Sequence, residues 1–181
     1  MFLEKIDDTN DLKKLNRKEL KELANEVRAA LINKISKAGG HSGPNLGMVE
    51  MTVALHYVFD SPNDKFVFDV SHQSYPHKIL TGRKEAFLDE EHFHDVTGYT
   101  NPLESEHDMF TIGHTSTSGS LALGLAIGRD LNKKAENIIA IIGDGSLSGG
   151  EALEAIDYAG EYNKNLIIIV NDNDQSIAEN H

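Results

Sequence analysis

The sequence predicts an α/β domain in which a parallel sheet carries helices on both faces. Two uninterrupted apolar runs, 138–142 and 166–170, flank a helical pattern at 151–162, which is the strand, helix, strand order of a parallel crossover. A third apolar run at 66–68 adds a further strand, and longer helical patterns separate the strands. A chain of 181 residues is roughly one domain's worth, so we expect a single core.

The amino-terminal helices are the first regular elements. The opening segment is polar and irregular, and Asn16 with Glu19 then forms a capping pair ahead of a helix. This helix should end near Gly39. Its apolar stripe comprises Leu20, Leu23, Ala24, Val27, Leu31 and Ile35. A turn-rich loop at 41–47 leads to a second helix over 49–58.

The middle of the chain has a weaker pattern. Segment 84–107 has no clear period, so we expect mostly loop, followed by a short strand over 109–112. A turn at 113–116 then opens a helix whose interior, 121–126, is rich in small residues. Small residues there suit close packing against a sheet or against another subunit.

Composition excludes several classes of protein. Apolar residues at 39% and charged residues at 25% are typical of globular domains, not of collagen-like or disordered chains. The net charge of −12 is opposite in sign to that of a nucleic-acid or anionic-membrane binder. The absence of cysteine excludes disulfides, thiolate zinc sites and a cysteine nucleophile. With no leader and no membrane-spanning run, we expect a cytoplasmic protein that contacts neither nucleic acid nor membrane.

Polar residues follow both strands of the crossover. Asp144 comes directly after the first strand and Asn173 follows the second, and the carboxyl ends of parallel strands meet where α/β sheets bind ligands. Such oxygen ligands suit Mg²⁺, which fills its other positions with water and substrate phosphate. Gly145 lets backbone approach a ligand, and the helix after 148–150 points its positive end nearby. The pair predicts a metal-diphosphate site, although either motif alone is also an ordinary turn signal.

Three of the nine histidines, His41, His72 and His114, lie in loops beside Gly, Ser or Thr. An imidazole in such a loop can shuttle a proton or hydrogen-bond a phosphate or hydroxyl group. Three in equivalent positions favour a functional role over a purely structural one. A second group lacks a regular ligand motif, and we expect exposed loop residues rather than a transition-metal site there: His92, His94 and His107.

Several long, ordered strings of residues are highly specific. They are Gly39-Gly40-His41, Gly43-Pro44-Asn45-Leu46-Gly47, the run 69–83, Gly113-His114-Thr115-Ser116-Thr117-Ser118, Gly143-Asp144-Gly145 and Asn171-Asp172-Asn173. Together they resemble the transketolase superfamily and, within it, the amino-terminal domain of the 1-deoxy-D-xylulose-5-phosphate synthase family. The resemblance implies a thiamine diphosphate-binding fold, with residues 1–181 as one diphosphate-binding domain that is incomplete at its carboxyl end. It also implies that the pyrimidine-binding and carboxyl-terminal domains are absent.

The resemblance implies a role for each matched position. As metal ligands it implies Asp144, Asn173 and the backbone carbonyl of Gln175. As cofactor-binding residues it implies His72, Gly113, His114, Thr115, Gly145, Ser146 and Asn173. As proton-transfer groups near the reacting substrate it implies His41 and His72.

The activity that the resemblance implies is a transferase reaction dependent on thiamine diphosphate and Mg²⁺. Pyruvate and D-glyceraldehyde 3-phosphate would give 1-deoxy-D-xylulose 5-phosphate, a precursor of isoprenoids, thiamine and pyridoxal, in a homodimer. Because the family's cofactor-activating glutamate lies in an absent domain, we expect this chain alone to be inactive. Two alternatives stay open: a transketolase-type two-carbon ketol transfer, which the atypical loop 93–102 permits, and a non-catalytic module that binds Mg²⁺ and a diphosphate.

Overall fold

A parallel sheet organises the structure, a computed structural model that describes residues 1–172 and the backbone of residues 175–176 and 178–179. The strand order is β1-β2-β3, where β1 is Lys65–Phe68, β2 is Ile138–Gly143 and β3 is Ile167–Asn171. In the central strand, Ala140 lies opposite Val67 on one side and Ile168 on the other. The predicted crossover and third strand are therefore confirmed.

Helices and short turns account for most of the remaining described chain. The α-helices are α1 (Thr9–Leu12), α2 (Arg17–Ala38), α3 (Ser42–Gly47), α4 (Val49–Val58), α5 (Tyr75–Lys78), α6 (Glu85–Leu88), α7 (Ser118–Leu131) and α8 (Gly150–Tyr162). Shorter elements are the 3₁₀ helices Leu3–Lys5, Glu90–His92 and Asp144–Ser148, the kinked turn Ile79–Arg83, and the antiparallel pair β4 (Gln175–Ser176) and β5 (Ala178–Glu179). Over residues 1–172, no helix combines the length and apolar character that a membrane crossing needs.

Alternate residues of each strand face opposite layers of helices. One face packs against α4 and the residue before it, through Phe66, Phe68, Ile139, Ile141, Met48 and Leu55. The other face packs against α7, through Val67, Ile138, Ala140, Ala122 and Ala126. Because both faces are covered, β2 and the last three residues of β1 are apolar, and the predicted α/β class with helices on both faces is confirmed.

The long helix α2 confirms the capping prediction. The Asn16 side chain accepts hydrogen bonds from the N–H groups of Lys18 (2.9 Å) and Glu19 (3.2 Å), and the Glu19 carboxylate accepts one from the Asn16 N–H (2.8 Å). The helix ends at Ala38, and Gly39 follows with a φ of 77°, a conformation that glycine adopts without a steric penalty. Most of the predicted stripe is buried in a second core cluster, with Leu20 and Ile35 at its margin.

The predictions for three irregular segments are wrong. The opening segment contains two short helices, and it is tied to the core because Leu3, Ile6 and Leu12 are buried. These apolar residues are too few to reveal a period. The loop predicted at 41–47 includes α3, whose first turn tolerates Pro44 because an N–H there has no partner within the helix.

The strand predicted over 109–112 is also absent from the described chain. The carbonyl groups of this segment accept hydrogen bonds from side chains and not from a neighbouring strand. The Ser71 hydroxyl donates to the Ile112 carbonyl (3.1 Å), and the Thr100 hydroxyl donates to the Phe110 carbonyl (2.7 Å). With those acceptors occupied, the segment runs as irregular chain beside the sheet. Ile112 still packs in the core of the α7 face.

A buried polar network holds the segment that follows α6. The Asp108 carboxylate accepts two hydrogen bonds from Arg83 (2.7 and 2.9 Å) and lies 3.1 Å from Nε2 of His77. Nδ1 of His77 lies 2.9 Å from Nε2 of His56, and both rings are fully buried. An ionised Asp108 fixes the tautomers, because His77 must donate through Nε2 and then accept from His56 through Nδ1.

Acidification is expected to destabilise the chain in two stages. Burial lowers the pKa of His56 well below its ordinary value of 6.5 and also lowers that of His77, although the Asp108 hydrogen bond opposes the second shift. Burial alone would raise the pKa of Asp108, but hydrogen bonds from His77 and Arg83 outweigh it and hold that pKa well below 3.8. At a pH below the ordinary pKa of each group, the unfolded chain binds more protons than the folded chain, so the free energy of unfolding falls as the pH falls.

Urea unfolding between about pH 8 and about pH 3 measures this effect. The free energy of unfolding should decline once the pH passes below about 6.5 and decline further below about 3.8. A free energy that stays constant from about pH 7 to about pH 5 contradicts the prediction for the histidines.

Candidate active site

The three parallel strands end at one edge of the sheet, and a cavity of about 450 Å³ lies there. Residues that directly follow each strand line it: Asp69 and Val70 after β1, Asp144 after β2, and Asn171 at the end of β3. Gly143 and Asn171 are paired in the β2–β3 register, so the segments that follow them start side by side. The predicted meeting of the strand ends is therefore confirmed within the described residues.

The cavity brings together half of the site residues that the sequence suggested. Those that line it are His72, Thr115, Asp144, Gly145 and Ser146. His41 packs edge to face against His72 without lining the cavity, whereas Gly113 and His114 are exposed and do not line it. Nδ1 of His114 lies 2.8 Å from the Thr115 carbonyl. Asn173 lies outside the described residues, and Gln175 is described only as backbone of β4.

A buried aspartate fixes the loops around the cavity. Asp69 is 1% exposed, and its two carboxylate oxygens accept hydrogen bonds from the N–H groups of Ser116 (2.9 Å) and Ser118 (2.9 Å). These bonds fasten the amino end of α7, where a carboxylate is favoured, to the end of β1. Asp69 belongs to the motif at 69–83, and its position directly after a buried strand is the sequence signal for this anchoring role.

The chain turns sharply after Asp69. Val70 and Ser71 adopt φ angles of 58° and 66°, a left-handed region that L-residues with a Cβ seldom occupy. The Ser71 hydroxyl stabilises this turn, since it donates to the Ile112 carbonyl and accepts from the Thr100 N–H (3.0 Å). The turn directs the following residue, His72, to the cavity.

A second connection joins the loop before α7 to the loop after β2. The Ser116 hydroxyl donates to the Ser146 carbonyl (2.7 Å), and Ser116 itself has a φ of 70°. A Cβ placed on Gly149 would overlap the Ser116 side chain, so glycine is required at that position. The Ser148 hydroxyl donates to the Gly145 carbonyl (2.8 Å), which closes the turn at Asp144–Ser148.

Two histidines form an edge-to-face pair beside the cavity. The rings of His41 and His72 lie with centroids 5.4 Å apart at 85°, and the Tyr99 ring lies 5.6 Å from His41. Nδ1 of both imidazoles is buried and has no hydrogen-bond partner in the part of the chain that the structure describes, so Nε2 is the nitrogen that can face a ligand. Burial lowers the pKa of His72, and the neighbouring His41 adds to this effect. A neutral imidazole at pH 7 can accept a proton from a substrate or relay one.

The oxygen donors of this cavity fit a hard cation with a diphosphate. Asp144 contributes a carboxylate, and the backbone around Gly145 and Ser146 contributes further polar groups. No cluster of three or more His, Asp or Glu side chains suited to a metal occurs within residues 1–172. Mg²⁺ needs no such cluster, since it commonly takes one or two carboxylates and completes its shell with water and substrate phosphate.

Comparison with known proteins identifies the family. The profile described as 1-deoxy-D-xylulose-5-phosphate synthase matches residues 3–181. The 1-deoxy-D-xylulose-5-phosphate synthase of Brevibacillus brevis is 51% identical over 180 residues, which are 99% of this chain and 29% of that protein. That of Shouchella clausii is 53% identical over 180 residues, with the same two coverages. The chain therefore spans less than a third of the length of these relatives.

Solved structures agree on the fold. Transketolase from Campylobacter jejuni has a TM-score of 0.74 at 23% identity, covering 90% of this chain and 29% of that one. Transketolase from Leishmania mexicana has a TM-score of 0.73 at 23% identity, covering 87% and 28%. At this identity the likeness concerns the fold alone, whereas the profile match covers nearly the whole chain. The chain belongs to the 1-deoxy-D-xylulose-5-phosphate synthase family.

Proposed function

We propose that this chain forms the diphosphate-binding half of a thiamine diphosphate site. The protein to which it contributes would make 1-deoxy-D-xylulose 5-phosphate from pyruvate and D-glyceraldehyde 3-phosphate. The observation that carries the proposal is the cavity at the shared end of three parallel strands, lined by Asp144, Gly145, Ser146 and His72, in a chain of this family. The family match favours this reaction over a two-carbon ketol transfer and over a non-catalytic module.

Each site residue has a proposed task. Asp144 and Asn173, with the backbone carbonyl of Gln175, hold Mg²⁺. Gly145, Ser146 and Asn173 bind the diphosphate, while Gly113, His114 and Thr115 lie along the cofactor. When bound, thiamine diphosphate supplies the electron sink for decarboxylation of the 2-oxo acid.

The histidine pair has the proton-transfer role in this proposal. His72 lines the cavity, and its lowered pKa keeps the imidazole neutral at pH 7, ready to take a proton from a substrate hydroxyl. His41, whose ring packs edge to face against that of His72, exchanges a proton with the same substrate. We further propose that residues 1–181 act as one domain of a cytoplasmic homodimer, with the pyrimidine-binding site elsewhere in the protein.

The test is a calorimetric titration of thiamine diphosphate into this chain, with Mg²⁺ and with a chelator. Binding should require the metal. Loss of a residue that only supports a metal ligand weakens binding by about 10- to 100-fold, so Asp144→Ala, which removes a ligand itself, should weaken binding by more than that. Asp157→Ala, on the exposed side of α8, removes the same charge away from the cavity and should bind normally.

Two results contradict the proposal. Binding that survives both the chelator and Asp144→Ala removes the metal-diphosphate role. The second result concerns the natural protein. If that protein binds thiamine diphosphate but does not convert pyruvate and D-glyceraldehyde 3-phosphate, the proposed reaction is wrong and the proposed binding role stands. Turnover of ketose donors without pyruvate decarboxylation assigns the ketol transfer instead.

A further inference from the structure

A single buried side chain joins the two histidine loops. Asn45 lies in α3, is fully buried, and does not line the cavity. Its amide nitrogen donates to the main-chain carbonyl of His41 (2.6 Å) and to that of His72 (2.8 Å). Its amide oxygen accepts from the main-chain N–H of Tyr75 (2.8 Å). Both amide protons are therefore used on the residues that carry the imidazoles.

The Tyr75 side chain supports the same loop from the other side. A Cβ placed on Gly40 would lie 2.7 Å from the Tyr75 hydroxyl oxygen, so the ring lies directly against the backbone that precedes His41. Burial raises the pKa of Tyr75, and a backbone hydrogen bond from His41 opposes that rise. Asn45 and Tyr75, themselves bonded to each other, thus enclose the main chain of His41.

The contacts of the imidazole rings themselves are edge-to-face aromatic packing, between His41 and His72 and between His41 and Tyr99. Among the described residues, Nδ1 of each ring is buried without a hydrogen-bond partner, and the two rings touch edge to face. Such an edge-to-face contact contributes about 0.5–1.5 kcal/mol in addition to the contribution of its buried area, which is too little to fix the distance between the rings by itself. The separation of the rings therefore follows from the separation of their main chains, which the Asn45 amide bridges.

We propose that Asn45 is a positioning residue whose amide sets the spacing of His41 and His72 for proton transfer to and from a carbonyl-containing substrate. The catalytic meaning rests on the function proposed above, but the geometric claim does not. Asn45 does not line the cavity and acts through the two histidine carbonyls. It differs in this from a residue that binds cofactor, whose loss would change cofactor affinity.

The test uses the whole chain with isotope-labelled histidine in NMR. In the wild type, ring protons of His41 and His72 should give a nuclear Overhauser cross-peak. In Asn45→Ala this cross-peak should be lost, and the pKa of His72 should rise towards its ordinary value because His41 moves away while Asp69 continues to favour the protonated form. Neither readout requires a cofactor, so failure of the proposed function leaves the test intact.

Thr52→Val is the matched control. Thr52 is fully buried, and its hydroxyl donates to the Met48 carbonyl (2.7 Å), so its replacement also costs a buried hydrogen bond, but one that involves neither histidine loop. The control should keep the cross-peak and the wild-type pKa of His72. Loss of the cross-peak in the control as well would reduce Asn45 to a general stabiliser and overturn the proposal.

A milder variant covers the case in which Asn45→Ala does not fold. The single hydroxyl proton of Asn45→Ser can bond only one of the two carbonyls, so the cross-peak should still weaken. In the natural protein, the same variant should lower kcat and leave the thiamine diphosphate affinity unchanged. A folded Asn45 variant with the wild-type cross-peak and the wild-type pKa of His72 overturns the proposal.

Discussion

Replacement of Asp108 by alanine is expected to lower the free energy of unfolding by about 3–5 kcal/mol, the usual cost of removing one partner from a buried ion pair. The Asp108 carboxylate accepts from Arg83 twice, from the Asn101 N–H (2.8 Å) and from His77, and its side chain is fully buried. Alanine leaves the Arg83 guanidinium, which is 10% exposed, with the more distant Glu104 as its one ionic partner among the described residues.

Urea unfolding at about pH 7 measures this loss as a lower midpoint at unchanged slope. Glu106→Ala removes an exposed acid two positions away and should change the free energy of unfolding by no more than about 0.5 kcal/mol. A loss below about 1 kcal/mol in Asp108→Ala would mean that water or another side chain replaces the carboxylate.

Replacement of Asp69 by alanine should lower the free energy of unfolding by about 2–6 kcal/mol and also disorder one wall of the cavity. The N–H groups of Ser116 and Ser118 lose their acceptor, and each buried polar group left without a partner costs about 1–3 kcal/mol. The amino end of α7 also loses a favourable negative charge.

Amide hydrogen exchange locates this effect. The Ser116 and Ser118 amides should exchange much faster in Asp69→Ala, while those of α2 change only as far as global stability does. Asp69→Asn keeps one acceptor oxygen and should lie between the wild type and alanine. Slow exchange at both serines in Asp69→Ala would contradict the assignment of Asp69 as their anchor.

The parts of the fold that the sequence predicts correctly are those with a strong local pattern. The stripe of α2, the paired runs of β2 and β3 and the helix between them each repeat over enough residues to define a period. The opening segment fails this condition because its buried residues belong to two very short helices. Segment 109–112 has strand-like composition, but Ser71 and Thr100 bond its carbonyl groups in place of a neighbouring strand.

The candidate site divides in the same way. Topology alone predicts that Asp144 and the segment at Asn171 meet, because parallel strands end at a common edge. Asn45 and the His56–His77–Asp108 chain depend on pairings between distant residues, and a single sequence does not reveal which distant residues meet. The metal-ligand roles of Asp144, Asn173 and Gln175 stay predictions.

The cavity is assembled from strands that lie far apart in the sequence. Its walls require β1 to pair with β2, which matches Lys65 with Ile138, and β2 to pair with β3. Closing so long a loop costs entropy before any contact repays it, so parallel pairing of this kind is slow compared with formation of local helices such as α2. We therefore expect the binding pocket to form late in folding. A ligand that binds only the completed pocket stabilises the folded chain by mass action. It cannot bind during the steps that form the sheet, so it should not speed those steps.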